Sequence, residues 1–599
     1  MKVTSLKLTV FMLIAWAAVA TGARLTSSAE GQEQKLPGSD IIPVERLADW
    51  RPGVTVGVPG GIPTDRKTLI DVTKEPYKAD NTGATDAQPA IQKAIADAKE
   101  KEVVYLPAGT YRVNKPISMG YRKNITIRGA GQDKTIIMAY NTYNGAVDMG
   151  GDPDWTQPNR KPGFSITGSP KRGDTVLTVG DTSGLDAFPN GGIGNLGRIS
   201  LKNDPKLPVV TVGAWDYARR QMSRIVAKTK TTVTISPGLL FDLPEPLSPR
   251  LDMSMRQAEF VGLEHLKIDA THSTSGRGLV YMDQCYACWL DDVAVISVPN
   301  RNVWISDSLQ CEIRRCYVAE RRGAGSNGAG IQFDNNASCL IEDNIFGNQF
   351  PNIEVNAGAT GNVFAYNFCV DSTIGGMIGV SIDANHGAHN SYNLYEGNVA
   401  SKFQSDGYWG SASHDTAFRN WLHGTEDNCD QFGICIYLNR FTRDYNIVGN
   451  VLGSPKYTYL YDNENRGFGY NQHFIYVFGM PNMGNGGNDG KNVQPSKGQY
   501  WADWEKLWTA DPGKGPGAGG FQEFDMDVQA TTLLKGNYNY CDKGVRPSES
   551  LGGTKLPNSL YLKEKPMWFG NLAWPAFGPD TDFAKNKIPA QVRYEKISK

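Results

Sequence analysis

The chain has 599 residues, with 61 basic against 62 acidic side chains and a net charge of −1. A balance this close to neutral argues against nucleic acid or an anionic membrane surface as the main partner, while leaving room for a local charged cleft. Its 66 glycines and 26 tyrosines, with few long helical runs, point to a turn-rich β protein.

The chain opens with MKVTSLKLTVFMLIAWAAVATGA, in which lysines precede an apolar run from Leu8 to Ala20 and small residues close the segment. That order is the pattern of a secretory signal peptide over residues 1–23, and the run is short of the roughly 20 residues a membrane span requires. The expectation is a secreted protein, periplasmic or extracellular, with no membrane association beyond the export signal. Disulfides can form in such a compartment. Nine cysteines leave at least one free, and Cys429 and Cys435 in NCDQFGIC are the best pair for a small loop. Cys285 and Cys288 have CxxC spacing, but no second such pair follows, so zinc is not indicated.

Residues 24–70 are polar and proline-rich, which reads as a linker or a surface-wrapped lead-in. From Asp71 the chain reads DVTKEPYKADNTGATDAQPAIQKAIADAKEKEVVYLPAGTYRV and then NITIRGAGQDKTII. The polar turn ADNTGATD, the helical stretch around Ile91 to Ile95 and the strand VVYLPAGTYRV resemble the N-terminal opening of pectate-lyase-superfamily proteins of the rhamnogalacturonase/epimerase kind. The resemblance implies an all-β, right-handed parallel β-helix capped by a short helix. It implies no reaction, because lyases, hydrolases, epimerases and phage tailspikes share that opening.

A repeat further on supports the same architecture. Aligning CLIEDNIF, NVFAYNFC, NLYEGNVA, TAFRNWLH and NIVGNVLG puts Asn344, Asn367, Asn398, Asn420 and Asn450 in one column, each followed by an apolar residue. A basic coil of about 22 residues, lengthened by loops in alternate turns, fits a solenoid. The asparagines are read as structural, bonding along the stack. The β-helix is expected over residues 71–480. SITGSPKRGDTVLTVGDTSGL and RIVAKTKTTVTISPGLLFDLP interrupt it with a small antiparallel β insertion at about 164–246, placed to wall one side of a cleft. Residues 481–599 read as a loop-rich tail packed on the helix, shielding its open edge.

Four of the seven histidines, His386, His389, His414 and His423, fall close together where loops leave the coils. Rigid scaffolds usually carry function on such loops. Two chemistries compete for a polysaccharide substrate, and the residues supply both. β-Elimination from a uronic-acid glycan needs a cation to neutralise the carboxylate, for which Arg419 is the candidate. It also needs a base, His414, His389 or His386, and an acid such as Tyr392, Tyr395 or Tyr408. Hydrolysis needs two carboxylates, and Asp383, Glu396, Asp406, Asp415 and Glu426 are the supply. The preferred set is His414, Arg419, Asp406, His389, His386, Glu396 and Asp415 for catalysis, with Trp409, Tyr408 and Arg322 for binding sugar. A polysaccharide lyase is the first reading. A glycoside hydrolase with Asp/Glu on adjacent coils is the second, and a non-catalytic glycan-binding protein the third. No metal ligand set is assigned. Calcium is an open alternative through the scattered carboxylates Asp334, Glu342, Asp343 and Glu354. A monomer without nucleic-acid partners is expected.

Overall fold

The repeating unit is a coil with two sharp corners, each made by a residue in the left-handed region followed by a side chain that bonds along the stack. At the first corner the left-handed residues are Ser338, Gly361, Tyr392 and His414. They precede Cys339, Asn362, Asn393 and Asp415. At the second, Asp343, Tyr366, Gly397, Arg419, Gly449 and Gly536 precede Asn344, Asn367, Asn398, Asn420, Asn450 and Asn537. Left-handed backbone suits glycine best, and glycine takes three of the six places at this second corner. At Gly397 a Cβ would also meet the Tyr366 ring at 2.3 Å.

The asparagine column of the sequence is present and longer than expected. Each amide oxygen accepts both the backbone N–H and the side-chain N–H of the asparagine one coil earlier. The amide contacts measure 3.0 Å for Asn344 to Asn367, 3.0 Å for Asn367 to Asn398, 2.9 Å for Asn398 to Asn420 and 2.9 Å for Asn420 to Asn450. The column continues to Asn537 and ends on the Glu549 carboxylate. Satisfying buried amides in this way avoids a penalty of about 1–3 kcal/mol for each group otherwise left unpaired.

The computed structural model describes residues 35–597 except 141–144, 151–159, 203, 205–216, 255, 274–277, 323–327, 408, 428, 465–470 and 481–524. The leader segment, Tyr408 and residues 481–524 of the tail therefore lie outside the described residues. The architecture is a right-handed parallel β-helix. Strands on either side of the second corner form two parallel ladders, for example Leu340–Glu342 over Val363–Ala365 and Ile345–Gly347 over Phe368–Val370. A third ladder of ten strands runs from Ile117–Gly120 to Phe474–Phe478. Inward positions stack like on like, with Phe333, Phe364 and Tyr395 at ring separations of 5.2 and 5.1 Å. Each fully buried apolar side chain of this kind contributes about 1.5–3 kcal/mol.

The helix Gln88–Asp97 covers the first coils with Ile91, Ala94 and Ile95 buried. The insertion is a six-stranded antiparallel sheet from Arg160–Ser165 to Arg250–Ser254, slightly wider than the expected span. The β-helix likewise runs past residue 480: Leu533–Lys535 and Tyr538–Asn539 add a further coil beside Asn446–Val448 and Val451–Leu452.

Both terminal segments run along the stack. The lead-in is not a free linker. Trp50 is buried and its indole N–H donates to the Tyr392 carbonyl at 3.0 Å. The Val58 N–H donates to Glu312, and Arg66 reaches Thr126 near the first coil. The tail lies over the second corner, where Tyr561 donates to Glu342, Trp574 to Tyr366, and Arg593 pairs with Asp343. All nine cysteines are free thiols, so the expected Cys429–Cys435 bond is not formed. Cys288, Cys311 and Cys339 instead stand in register, continuing the Asn362–Asn393 column upstream. There Cys339 Sγ accepts the Cys311 N–H. Cysteine behaves here as a small buried side chain.

Candidate active site

The third ladder turns alternate side chains outward. Its pairing aligns Asp148, Tyr281, Trp304, Gln332, Glu354, Asp383, Gln404 and Tyr437 in one row along the stack. Asp283, Ser306, Asp334 and Asn356 form a second row beside it. Neighbouring coils are about one strand spacing, 4.8 Å, apart, so each successive residue can address a successive part of an elongated ligand.

Asp383, His386 and Asp406 converge on this face. Asp383 stands in the outer row. Three residues on, His386 Nδ1 lies 3.9 Å from its carboxylate. Asp406 follows the strand Phe403–Ser405 on the next coil and meets the same Nδ1 at 2.7 Å. One ligating atom from each of the three residues lies within 4.8 Å of the others. Local sequence places Asp406: Gly407 after it has φ of 62°, and a Cβ there would approach the Arg440 carbonyl at 2.8 Å, so the strand ends in a turn that glycine permits. The Trp409 indole N–H points at His386 Nε2, 3.3 Å away. A third of the His386 side chain is exposed, so the group opens to the surface of the ladder.

Electrostatics divides the labour. Burial, reinforced by the neighbouring Asp406, holds the Asp383 carboxyl well above the usual carboxylate range. Burial opposes a charge on His386, but Asp406 outweighs it and pushes the imidazole up to about 10. Asp334 is pushed up to about 6 by burial and by Glu354 beside it. A neutral acid next to a carboxylate held by an imidazole is suited to proton transfer.

The same three groups have the spacing of a cation site, which His386 tests. A metal would need the Nδ1 lone pair. Asp406, 2.7 Å from Nδ1, keeps a proton on that nitrogen, and an imidazole pushed up to about 10 has no free lone pair near neutral pH, so these groups fit a shared proton rather than a metal. Uptake of a second proton obliges the Trp409 N–H to turn aside. The carboxylates read as a calcium set do not converge: Asp334 and Glu354 stand on the third ladder, whereas Glu342 and Asp343 lie under the tail.

The remaining sequence candidates are placed elsewhere. Arg419 is 2% exposed and clamps the tail, paired with both oxygens of Asp580 at 2.8 Å and donating to the Pro557 and Phe577 carbonyls. Glu396 lies beneath the same tail, accepting the Leu560 N–H, and burial pushes its carboxyl up to about 7. Asp415 is a member of the first-corner column: its Oδ1 accepts both N–H groups of Asn393. His414 occupies the left-handed corner place and stacks on Tyr392, its counterpart one coil earlier, at 4.8 Å. Burial, then Arg219, Arg46 and Arg172, hold it down at about 3. His389 is buried with both ring nitrogens on the hydroxyls of Ser411 and Ser413. Arg322 donates to the backbone carbonyls of Ala270, Thr271, Ser273 and Ser297. Of the preferred set, the structure thus brings His386, Asp406 and Trp409 together and joins Asp383 to them.

Walls flank the face. On one side Glu426 accepts the N–H groups of Asp371 and Ser372, and the Ile378 N–H donates to the Gln431 carbonyl, which binds the loop after Val370 to the loop after Leu422. On the other, the insertion leans on the stack where the His389 N–H donates to the Ala218 carbonyl and Thr360 to that of Arg220.

The structure therefore defines the protein as a parallel β-helix with an acidic, aromatic-bordered outer face. Residues 71–167 match the family described as rhamnogalacturonase A/epimerase, pectate lyase-like, over the segment whose sequence carried the resemblance. Among solved structures the chain is similar to the tailspike protein gp49 from Pseudomonas phage LKA1, at 13% identity and a TM-score of 0.49, over 69% of this chain and 68% of that one. It is similar also to the tailspike gp61 of Pseudomonas phage phi297, at 13% identity and a TM-score of 0.49, over 68% and 67%. The A-module of the Azotobacter vinelandii mannuronan C-5 epimerase AlgE4 matches at 12% identity and a TM-score of 0.26, over 68% and 94%. No curated protein sequence matches the chain. Among the described residues no helix is long and apolar enough to cross a membrane.

Proposed function

We propose that the protein is an exported glycoside hydrolase that cuts a polysaccharide lying along the third ladder. Asp383 is its general acid and Asp406 its second carboxylate. The observation that carries this reading is the convergence of Asp383, His386 and Asp406 from two adjacent coils, with ligating atoms within 4.8 Å of one another. Asp383 keeps its proton near neutral pH and delivers it to the glycosidic oxygen as the bond to C1 breaks. Asp406, oriented by the His386 Nδ1–H, forms the bond to C1. Water then displaces Asp406, and Asp383, now a carboxylate, takes the water proton. Retaining enzymes set their two carboxyl groups about 5 Å apart, and the facing oxygens of Asp383 and Asp406 lie inside that limit, within 4.8 Å.

The elimination reading draws less support. Its neutralising cation, Arg419, is committed to Asp580, and both nitrogens of His389 are committed to serine hydroxyls. His414 lies at a corner against Tyr392.

Asp383→Asn and Asp406→Asn variants are expected to lower reducing-end release from a susceptible polysaccharide by about 10² or more, the size of a general acid–base contribution. Their melting temperatures should stay at or above that of the parent. Unchanged turnover in both folded variants, or ultraviolet absorbance from an unsaturated uronate, would remove the hydrolase reading.

A further inference from the structure

We infer that the glycan taken by this face is rich in hydroxyl or amino donors and carries no carboxylates. The inference rests on the hydrolase reading for the location of the site, and deepens it by naming the substrate class.

The outer face of the third ladder presents Asp148, Asp283, Asp334, Glu354 and Asp383 in register, with Asp406 at the end of the next strand. The cations beside them are few. Arg301 lies over the Trp304 ring at 5.3 Å, and His386 is engaged by Asp406. Lys402, one coil along, is buried and turns its ammonium to the Ile378 carbonyl. A polyuronate repeats a negative charge at every sugar, and laid along this face it would set like charges against Asp148, Asp283, Asp334 and Glu354.

Three side-chain donors at the centre of the face are also engaged by its own carboxylates. Trp304 Nε1 donates to Asp334 at 2.7 Å, Gln332 Nε2 to Asp334 at 2.8 Å, and Asn356 Nδ2 to Glu354 at 2.7 Å. Two acceptors beside them lack a donor. Gln332, 8% exposed, stands in the outer row between Trp304 and Glu354, and its Oε1 has no donor among the described residues. Asn385, fully buried beside His386, gives its Nδ2 to the Gly410 carbonyl and leaves Oδ1 likewise without a donor. Acceptors without donors in a desolvated wall are costly unless a ligand supplies the hydrogen. Sugar hydroxyls and amino groups supply it; a carboxylate cannot. Trp304, in edge contact with Tyr281 at 5.1 Å, offers apolar ring surface at one end of the row.

Retardation of the full-length protein in gels containing an uncharged polysaccharide, an amino-sugar polysaccharide or a polyuronate, each with EDTA and with calcium, tests this directly. Binding to one of the first two is expected, with binding to the polyuronate at least about tenfold weaker in both ionic conditions. A double Asp334→Asn, Glu354→Gln variant should narrow that gap by gaining polyuronate affinity. Equal or tighter polyuronate binding, with or without calcium, would overturn the inference, as would binding to none of the three. Binding of an uncharged or amino glycan without cleavage would instead remove the hydrolase reading and leave this one standing.

Discussion

Asp415 fills a place that Asn362 and Asn393 hold in the two preceding coils, and the substitution has a cost that pH exposes. Its Oδ1 accepts from Asn393 and its Oδ2 lies 3.1 Å from the Tyr445 hydroxyl, accepting from it when ionised and donating to it when protonated, while burial pushes the carboxyl up to about 8. Between the ordinary carboxylate range and about pH 8, the folded protein therefore holds a proton that the unfolded chain has released. Stability falls as pH rises through that window. An Asp415→Asn variant keeps both acceptor and donor without the titration. It should melt at a higher temperature than the parent, with the larger gain at pH 9 than at pH 5, as a thermal melt series would show; a lower melting temperature at both pH values would contradict the ladder role. Sequence alone made Asp415 and His414 look like chemistry because they fall where histidines and carboxylates crowd beside the loops that leave the coils. The repeat held the other answer, since SYNLYEGN and SHDTAFRN place His414–Asp415 where Tyr392–Asn393 stand. Asp383 stood among the candidate carboxylates but gave no local signal, because its partners are brought to it by a neighbouring coil.

At the scale of elements, corners and straps decide which polar residues remain available. Arg419 takes the left-handed place before Asn420, which turns its side chain outward into the tail, where Asp580 and three backbone carbonyls engage it. Breaking a buried ion pair costs about 3–5 kcal/mol, and Asp580 is half exposed, so an Arg419→Ala change should cost about 2–3 kcal/mol. The tail should then be cut faster in limited proteolysis, with turnover on the third ladder unchanged. Loss of turnover without faster cutting would mean that Arg419 serves the reaction. The straps themselves were hard to read in sequence. Residues 37–68 are polar and proline-rich because they run over a finished surface, and only anchors such as Trp50 and Arg66 mark the path. The asparagine column was legible because one residue type recurs beside apolar neighbours, whereas the third ladder carries a different outward side chain at nearly every coil.

For the whole molecule, stacking converts a short repeat into a long face, and chemistry appears where adjacent coils bring unlike groups together. The architecture was readable from the opening segment at Asp71 and from the second-corner repeat. The candidate site was legible in part: Asp406, His386 and Trp409 stood among the candidates, whereas loops of unequal length separate Asp383 from Asp406 and hide their proximity along the chain. As proposed, these two carboxylates cleave a glycosidic bond by double displacement on the third ladder. Proton NMR of the first-formed product, recorded before the free sugar equilibrates, tests it most directly on a polysaccharide the protein cleaves. A newly exposed reducing end with the anomeric configuration of the bond that was cut is expected. An inverted anomer, or the vinyl proton of an unsaturated sugar, would contradict it.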